Sequence, residues 1–306
     1  MQRLLRNFFI RLSTNKFLNQ SARKWGFRLG AERFVAGTDI ESVTHTIKKM
    51  NQEGISCTVD NLGEFVFHKE ESLYAKNQII QMLYKIDEEK LDCHVSVKLT
   101  QLGLDIDQDF CIENMKEILD TAAKYDIFIN IDMEDYIHFQ PTIDVLKTLL
   151  KDYRNVGTVI QSYLRCAEEV LDELKDVRIR IVKGAYKESP DVAFQSKEEI
   201  DQSFLKLAKK RLSGPAFTSI ATHDHRIIHE LKKFVAENHI PTDRFEFQML
   251  YGFRQEMQYH LVKEGYRMTT YMPFGNDWFG YYMRRLAERP QNLNLIFKDV
   301  FNRKSS

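Results

Sequence analysis

Near the C-terminus, in the stretch YMPFGNDWFGYYMRRLAERP, two adjacent arginines, Arg284 and Arg285, stand among aromatic residues. Helical neighbours point about 100° apart, so two such cations do not share one solvated face equally. A planar guanidinium stays cationic at any working pH and takes a carboxylate in bidentate fashion. The pair therefore reads as a clamp for an anion. Stacking of arginine on rings accounts for one cation and is strained for two. Upstream, charged and amide residues recur where short apolar runs end: Asp60 and Glu64; Lys98, Thr100 and Gln101; Asp132, Glu134 and Asp135; Gln161 and Tyr163; Arg180, Lys183 and Tyr186; Thr222 and His223; Gln248; Tyr271. Burying such groups is costly unless they are paired or employed. Mixed cations, acids and amides on nearly every run point to a ligand with several polar edges, and an internal salt-bridge network is the structural alternative. Lys183, in VKGAY, also suits a Schiff-base lysine of an aldolase-type barrel.

The elements that must position these residues follow one repeated pattern. Apolar, β-branched runs at 55–59, 94–99, 127–131, 158–161, 178–182, 217–221, 244–247 and 267–270 predict strands. Amphipathic stretches follow each, for example 111–124 and 201–212. Alternating strand and helix implies a parallel sheet, and eight units over about 250 residues match a closed (β/α)8 barrel. The open doubly wound rival lacks support, because no G-x-G-x-x-G or Walker A loop follows any strand. A barrel carries its active site at the C-terminal ends of its strands, where the polar residues fall.

Composition narrows the class. The 306 residues are 43% hydrophobic and 29% charged, enough for a sizeable core, and a formal net charge of zero argues against nucleic acid as a partner. Cys57, Cys93, Cys111 and Cys166 are scattered and read as core thiols in a reducing compartment. Asp105, Asp107 and Asp109 have calcium-loop spacing, but Phe110 and Lys116 stand where Gly and a bidentate Glu are needed. His223 and His225 diverge at a strand end without a third ligand, so no metal is expected. No apolar run nears the roughly 18 residues that cross a bilayer. Residues 1–30 carry seven basic residues and no acid, with Leu4, Leu5, Phe8, Phe9 and Leu12 at helical spacing. That segment reads first as an amphipathic helix packed on the main domain with its basic face solvated, next as a contact with an anionic membrane surface, and last as a transit peptide.

In chain order, SVKLTQLG, NIDMEDY, VIQSYLR, RIVKGAYKE, ATHDH, FEFQMLYG and YMPFG…YYMRRLAE resemble the proline dehydrogenase family, in the manner of its monofunctional bacterial members, over about residues 50–290. The resemblance implies an α/β fold, a distorted (β/α)8 TIM-type barrel over 51–306 preceded by a basic helical segment over 1–50. It implies non-covalent FAD, oxidation of L-proline to Δ1-pyrroline-5-carboxylate, and electrons passed to a membrane quinone. It also implies a cytoplasmic enzyme, or one peripheral at the inner face of the plasma membrane.

By the same resemblance, Arg284, Arg285 and Lys98 grip the proline carboxylate, and Asp132 pairs with and orients these cations. Tyr271, Tyr281, Leu250 and Ala185 enclose the ring. For FAD, Arg180 lies beside the flavin N5 and Gln161 at the pyrimidine edge. Val182, Lys183 and Gly184 supply contacts from the fifth strand, Thr222 and His223 meet the phosphates, and Glu288 meets a ribose. Arg180, Asp132 and Tyr271 are thus the expected catalytic residues. Two positions depart from the family pattern: Asp224 stands where the family has Asn, and Lys187 where bifunctional relatives have Trp. The chemistry agrees. Proline offers a carboxylate, a ring amine that must be neutral, and a C–H leaving as hydride, while no residue is an obvious general base.

Overall fold

A computed structural model describes the backbone of residues 31–63 and 66–288, and the side chains over this span apart from those of residues 31 and 284–288. The basic 1–30 segment and Glu64 lie outside the described residues. Eight parallel strands close into a barrel in sequence order. They are β1 (Ser56–Asn61), β2 (Cys93–Val97), β3 (Ile129–Ile131), β4 (Val156–Gln161), β5 (Ile179–Val182), β6 (Thr218–Ala221), β7 (Phe245–Leu250) and β8 (Met268–Phe274). Helix α1 (Ile40–Gln52) leads into the first strand. The others, α2 (Lys69–Glu88), α3 (Gln108–Lys124), α4 (Tyr136–Leu149), α5 (Ala167–Glu173), α6 (Lys197–Leu212), α7 (His225–Glu237), α8 (Gln255–Lys263) and α9 (Trp278–Glu288), each follow one strand. Among the described residues, no helix is long and apolar enough to cross a membrane.

The strands alternate between two environments. One face of each carries fully buried apolar residues, such as Val59, Val97, Ile131, Ile160, Ile181, Ile220, Phe247 and Met272, which join the helices in the main core. Burying each such side chain contributes about 1.5–3 kcal/mol. The other face points into the barrel and is largely polar. Near its base Glu246, 5% exposed, accepts from Arg178 Nη2 at 3.0 Å, Ser219 Oγ at 2.5 Å, Thr269 Oγ1 at 2.6 Å and Gln248 Nε2 at 2.6 Å. The Arg178 guanidinium lies between the rings of Phe128 and Phe217, at 4.2 and 4.4 Å. Burial alone would raise the Glu246 carboxyl, but Arg178, His94 and the Ser219 and Thr269 hydroxyls together outweigh it and hold the group at about 2. This buried pairing ties β5, β6, β7 and β8 together.

Helix starts obey local capping rules. Asp107, Asp135 and Asp224 cap α3, α4 and α7, and Ser196 with Glu199 forms a capping box that starts α6 four residues before the predicted 201. Asp105 pairs instead with His138, whose ring reaches both Asp105 (2.9 Å) and Asp135 (2.5 Å). Two of the three aspartates with calcium-loop spacing, Asp107 and Asp105, are therefore occupied by a cap and a loop clamp. The four cysteines are free, three of them buried.

Helix α1 spans position 50/51 and buries Val43, Ile47 and Met50 in the core shared with the barrel. Ahead of it, residues 34–37 run across the C-terminal end of β8. Ala36 N donates to Pro273 O at 2.8 Å and Gly275 N to Gly37 O at 2.9 Å. Phe34, Val35, Leu62, Phe253, Trp278, Tyr281, Tyr282 and Met283 then form a second apolar cluster at the barrel mouth. Gly252 makes this approach feasible: at φ +78° its built Cβ would sit 1.5 Å from Arg33 O.

Candidate active site

Above the Glu246 layer, the site is organised by one carboxylate. Asp132 follows β3 directly, and its N–H donates to Val97 O at 2.8 Å, which continues the β2–β3 pairing and turns the side chain inward. Its Oδ1 accepts from Arg180 Nη1 at 2.7 Å and Asn130 Nδ2 at 3.1 Å, and its Oδ2 from Tyr271 OH at 2.7 Å. Lys98 Nζ stands 3.9 Å from Oδ2 and 2.5 Å from Asp60 Oδ2. Arg180 reaches across the barrel to Ser96 Oγ at 2.8 Å, and its guanidinium carbon lies 5.2 Å over the Tyr271 ring. Strands β2, β3, β5 and β8 thus meet at one point, which only a closed barrel can arrange.

Electrostatics fix the protonation of this cup. Burial and the neighbouring Asp132 push the Tyr271 phenol well above its ordinary value, so it remains a donor. Burial raises the Asp60 carboxyl and Lys98 opposes the shift without cancelling it. Lys98 and Arg180 are balanced by Asp60 and Asp132. An added substrate anion therefore calls for further positive charge at the mouth. Ser96 and Asn130 support the site and were not singled out by the sequence, while Asp60 stood out there only as a polar residue at a strand end. The alternation of polar residues on the inner strand face was the signal that could have found Ser96 and Asn130.

The enclosing residues are distributed around the mouth. Leu250 ends β7 and packs against the second apolar cluster, which contains the buried Tyr281. Ala185 lies exposed on the loop after β5. The backbone of α9 carries Arg284, Arg285 and Glu288 three, four and seven positions beyond Tyr281. Their side chains lie outside the described residues. The helix begins at Trp278, because Asn276 and Asp277 form the turn out of a β8 that continues to Phe274.

A second polar region spans the ends of β4, β5 and β6. Gln161 Nε2 donates to Glu134 O at 2.7 Å, and the Glu134 carboxylate accepts from Thr100 N and Oγ1 at 3.3 and 2.8 Å. Val182 and Lys183 carbonyls accept from Ser162 and Tyr163 amides at 2.8 and 3.0 Å. Gly184, at φ +110°, lies against the Tyr163 ring, where a Cβ would come within 2.4 Å. Any other residue would be both strained and blocked. Thr222 Oγ1 accepts from Asp224 N at 3.1 Å. His223 Nε2 accepts from Leu250 N at 3.0 Å, so a neutral His223 carries its proton on Nδ1. Lys183 Nζ is held by Asp201 at 2.5 Å and Asp224 at 3.2 Å. Burial would raise both acids, but Lys183 and Lys197 together, with the Arg226 amide at Asp224, outweigh it, lowering Asp201 and bringing Asp224 to about 2. Asp201 was legible only as part of a predicted helix. Among the described residues, no group of three or more His, Cys, Asp or Glu is placed to hold a metal ion.

Comparison with known proteins gives one consistent result. A family model described as proline dehydrogenase matches residues 43–296. Proline dehydrogenase 2 of Bacillus subtilis (strain 168) is 47% identical over 97% of this chain and 99% of its own length. The proline dehydrogenase of Deinococcus radiodurans is 37% identical over 98% of this chain and 99% of its own. Among solved structures, proline utilization A (PutA) from Bdellovibrio bacteriovorus, inactivated by N-propargylglycine, matches with a TM-score of 0.78 at 26% identity. That match covers 84% of this chain and 32% of the larger PutA chain.

Proposed function

The chain belongs to the proline dehydrogenase family and oxidises proline, and we propose that it does so in the cup above Asp132, with FAD as the bound acceptor and Δ1-pyrroline-5-carboxylate as product. What supports this is the Asp132 carboxylate, which holds a guanidinium from β5 and a phenol from β8 with an ammonium from the end of β2 beside them. A fixed cup of this kind supplies orientation, the main contribution a protein makes to hydride removal.

The donor set fits a flavin dinucleotide. Arg180 is 4% exposed, yet its Nε has no hydrogen-bond partner among the described residues, leaving a buried donor for a ligand acceptor. Gln161 offers an amide at the neighbouring strand end. Val182, Lys183 and Gly184 present the backbone and ammonium of β5, while Thr222 and His223 stand at the end of β6 for the phosphates and Glu288 on α9 for a ribose. FAD bound there supplies a two-electron acceptor. Lys98, Arg284 and Arg285 bind the proline carboxylate, and the α9 pair brings the positive charge that the balanced cup lacks. Tyr271, Tyr281, Leu250 and Ala185 enclose the ring. Cations around the substrate favour the neutral ring amine that oxidation requires, and its proton leaves to solvent.

The basic 1–30 segment is proposed to meet an anionic membrane surface, where a quinone takes the electrons. That places the enzyme in the cytoplasm or at the inner face of the plasma membrane, with 51–306 as the catalytic barrel and 1–50 as an N-terminal segment joined to it through α1. The Schiff-base alternative is less well supported. Such a lysine works from an apolar pocket or beside another cation, whereas Lys183 is ion-paired with two acids. Purified protein supplied with FAD should reduce a soluble dye when L-proline is added. Arg284→Met and Arg285→Met should raise KM for proline at least about tenfold, the loss of one charge-assisted contact, without lowering FAD content. An unchanged KM in both variants would refute the clamp, and a protein that takes up no FAD would refute the cofactor.

A further inference from the structure

Lys183 does not stand alone at the end of β5. It forms a four-charge cluster with Lys197 and Asp201 of α6 and with Asp224, the cap of α7. Asp201 contacts both lysines, at 2.5 Å for Lys183 and closely for Lys197. Asp224 Oδ2 also serves both, at 3.2 Å from Lys183 Nζ and 3.5 Å from Lys197 Nζ. The cluster sums to zero charge. An ammonium has three N–H donors, so a diphosphate arriving at Lys183 shares them with two resident carboxylates. Asp201 is the nearer acid and sits on a different element, so Lys183 keeps a carboxylate partner when Asp224 is replaced.

We propose that Asp224 is a positioning residue that weakens this chain's hold on the diphosphate of its cofactor, making FAD affinity lower and less salt-dependent than Lys183 and Lys197 alone would give. This rests on the reading of Thr222 and His223 as contacts of the cofactor phosphates, and takes Lys183, read as a cofactor contact at the adjoining strand end, to face the same phosphates. Both acids remain carboxylates at neutral pH, since Lys183 and Lys197 overcome burial and hold each below its ordinary value. Asp224 also accepts from Arg226 N at 3.1 Å, and Asn caps a helix as well as Asp does. Asp224→Asn therefore removes the charge and keeps the cap.

The experiment is equilibrium ultrafiltration of the full chain with FAD, and with riboflavin, which lacks the phosphates, at low and high salt. Asp224→Asn should bind FAD about three- to tenfold tighter at low salt, the scale of one partly solvated charge. That gain should shrink in about 0.5 M salt and be absent for riboflavin. Asp224→Ser, another capping residue, should repeat the gain and guards against a folding defect in the first variant. Equal or weaker FAD binding in both folded variants would overturn the proposal, as would an equal gain for riboflavin. Lys183→Met separates the two levels. A loss of tenfold or more keeps the phosphate reading, while wild-type affinity would refute that reading and the role of Asp224 with it.

Discussion

Replacing Asp132 by alanine is the sharpest test of how the cup works. The substitution removes the common acceptor of Arg180 Nη1 and Tyr271 OH, both at 2.7 Å, and of Asn130 Nδ2 at 3.1 Å. Hydrogen bonds involving a charged partner are each worth about 1.5–3 kcal/mol. Arg180 keeps its bond to Ser96 and so remains near its place. Tyr271 loses the acceptor that aims its phenol across the barrel. If one such interaction is expressed in the transition state, about 2–3 kcal/mol is lost and kcat/KM for proline falls roughly 30- to 150-fold. Tyr271→Phe removes only one donor and should cost about tenfold or less. Because both substitutions break the same bond, the double variant should be less impaired than the product of the singles, with a coupling of about 1 kcal/mol. Steady-state kinetics with a soluble electron acceptor reads all four proteins. An Asp132→Ala enzyme within threefold of wild type, or a cycle with no coupling, would refute the Asp132 account.

Four further outcomes follow from the same geometry. Glu246→Gln leaves the buried Arg178 cation unpaired, so denaturant unfolding should report a loss of about 3–5 kcal/mol. A loss under 1 kcal/mol would sink the buried-pair reading. Glu246, held at about 2, contributes stability that is complete above the ordinary carboxylate range and is lost as pH falls toward 2. His94, kept down to about 3 by burial and by Arg178, begins to cost stability as pH drops below its ordinary value, because only the unfolded chain takes up the proton there. Stability measured from pH 7 downward should therefore fall in two stages, with Glu246→Gln flattening the lower one. His138 is raised: burial opposes this, but Asp135 and Asp105 prevail. Its clamp is present below the ordinary histidine value and lost as pH rises through the raised one. Protection factors of the amides in the 100–107 loop, taken relative to their intrinsic base-catalysed exchange, should fall at high pH, and His138→Gln should abolish that fall. Gly252→Ala combines a left-handed backbone with a clash against Arg33 O. It should lower stability by about 1–2 kcal/mol from the backbone alone and raise KM for proline as the cluster bearing Tyr281 loosens, whereas wild-type melting and KM would refute the packing described for 34–37.

The eight strands were legible because their helix-facing residues are mostly apolar alternations, as in Ile129 and Ile131 or Ile179 and Ile181, with Thr218 and Thr270 bonded to helix side chains as exceptions. Strand ends were less so. Strand β7 runs on to Leu250 and β8 to Phe274. Gln248 and Tyr271 looked like strand terminators but belong to the inward-facing half of the alternation, in a barrel whose interior is polar. The site was legible as a list of strand ends and not as a set of pairs. That Asp60 serves Lys98, or Asp201 serves Lys183, depends on closure and on helix placement, which no local spacing encodes. The packing of Arg33 and Phe34 on Gly252 and Phe253 joins segments more than 200 positions apart, and nothing in either segment announces the other. Arg284 and Arg285 stood out by composition, and their roles rest on the family resemblance together with the charge balance of the cup.

The most direct measurement is anaerobic titration of the purified, flavin-loaded protein with L-proline, followed by visible absorbance. Bleaching of the flavin bands, with one molecule of Δ1-pyrroline-5-carboxylate formed per flavin reduced, is the predicted result. A flavin spectrum that stays oxidised in excess L-proline, with no product formed, would contradict it.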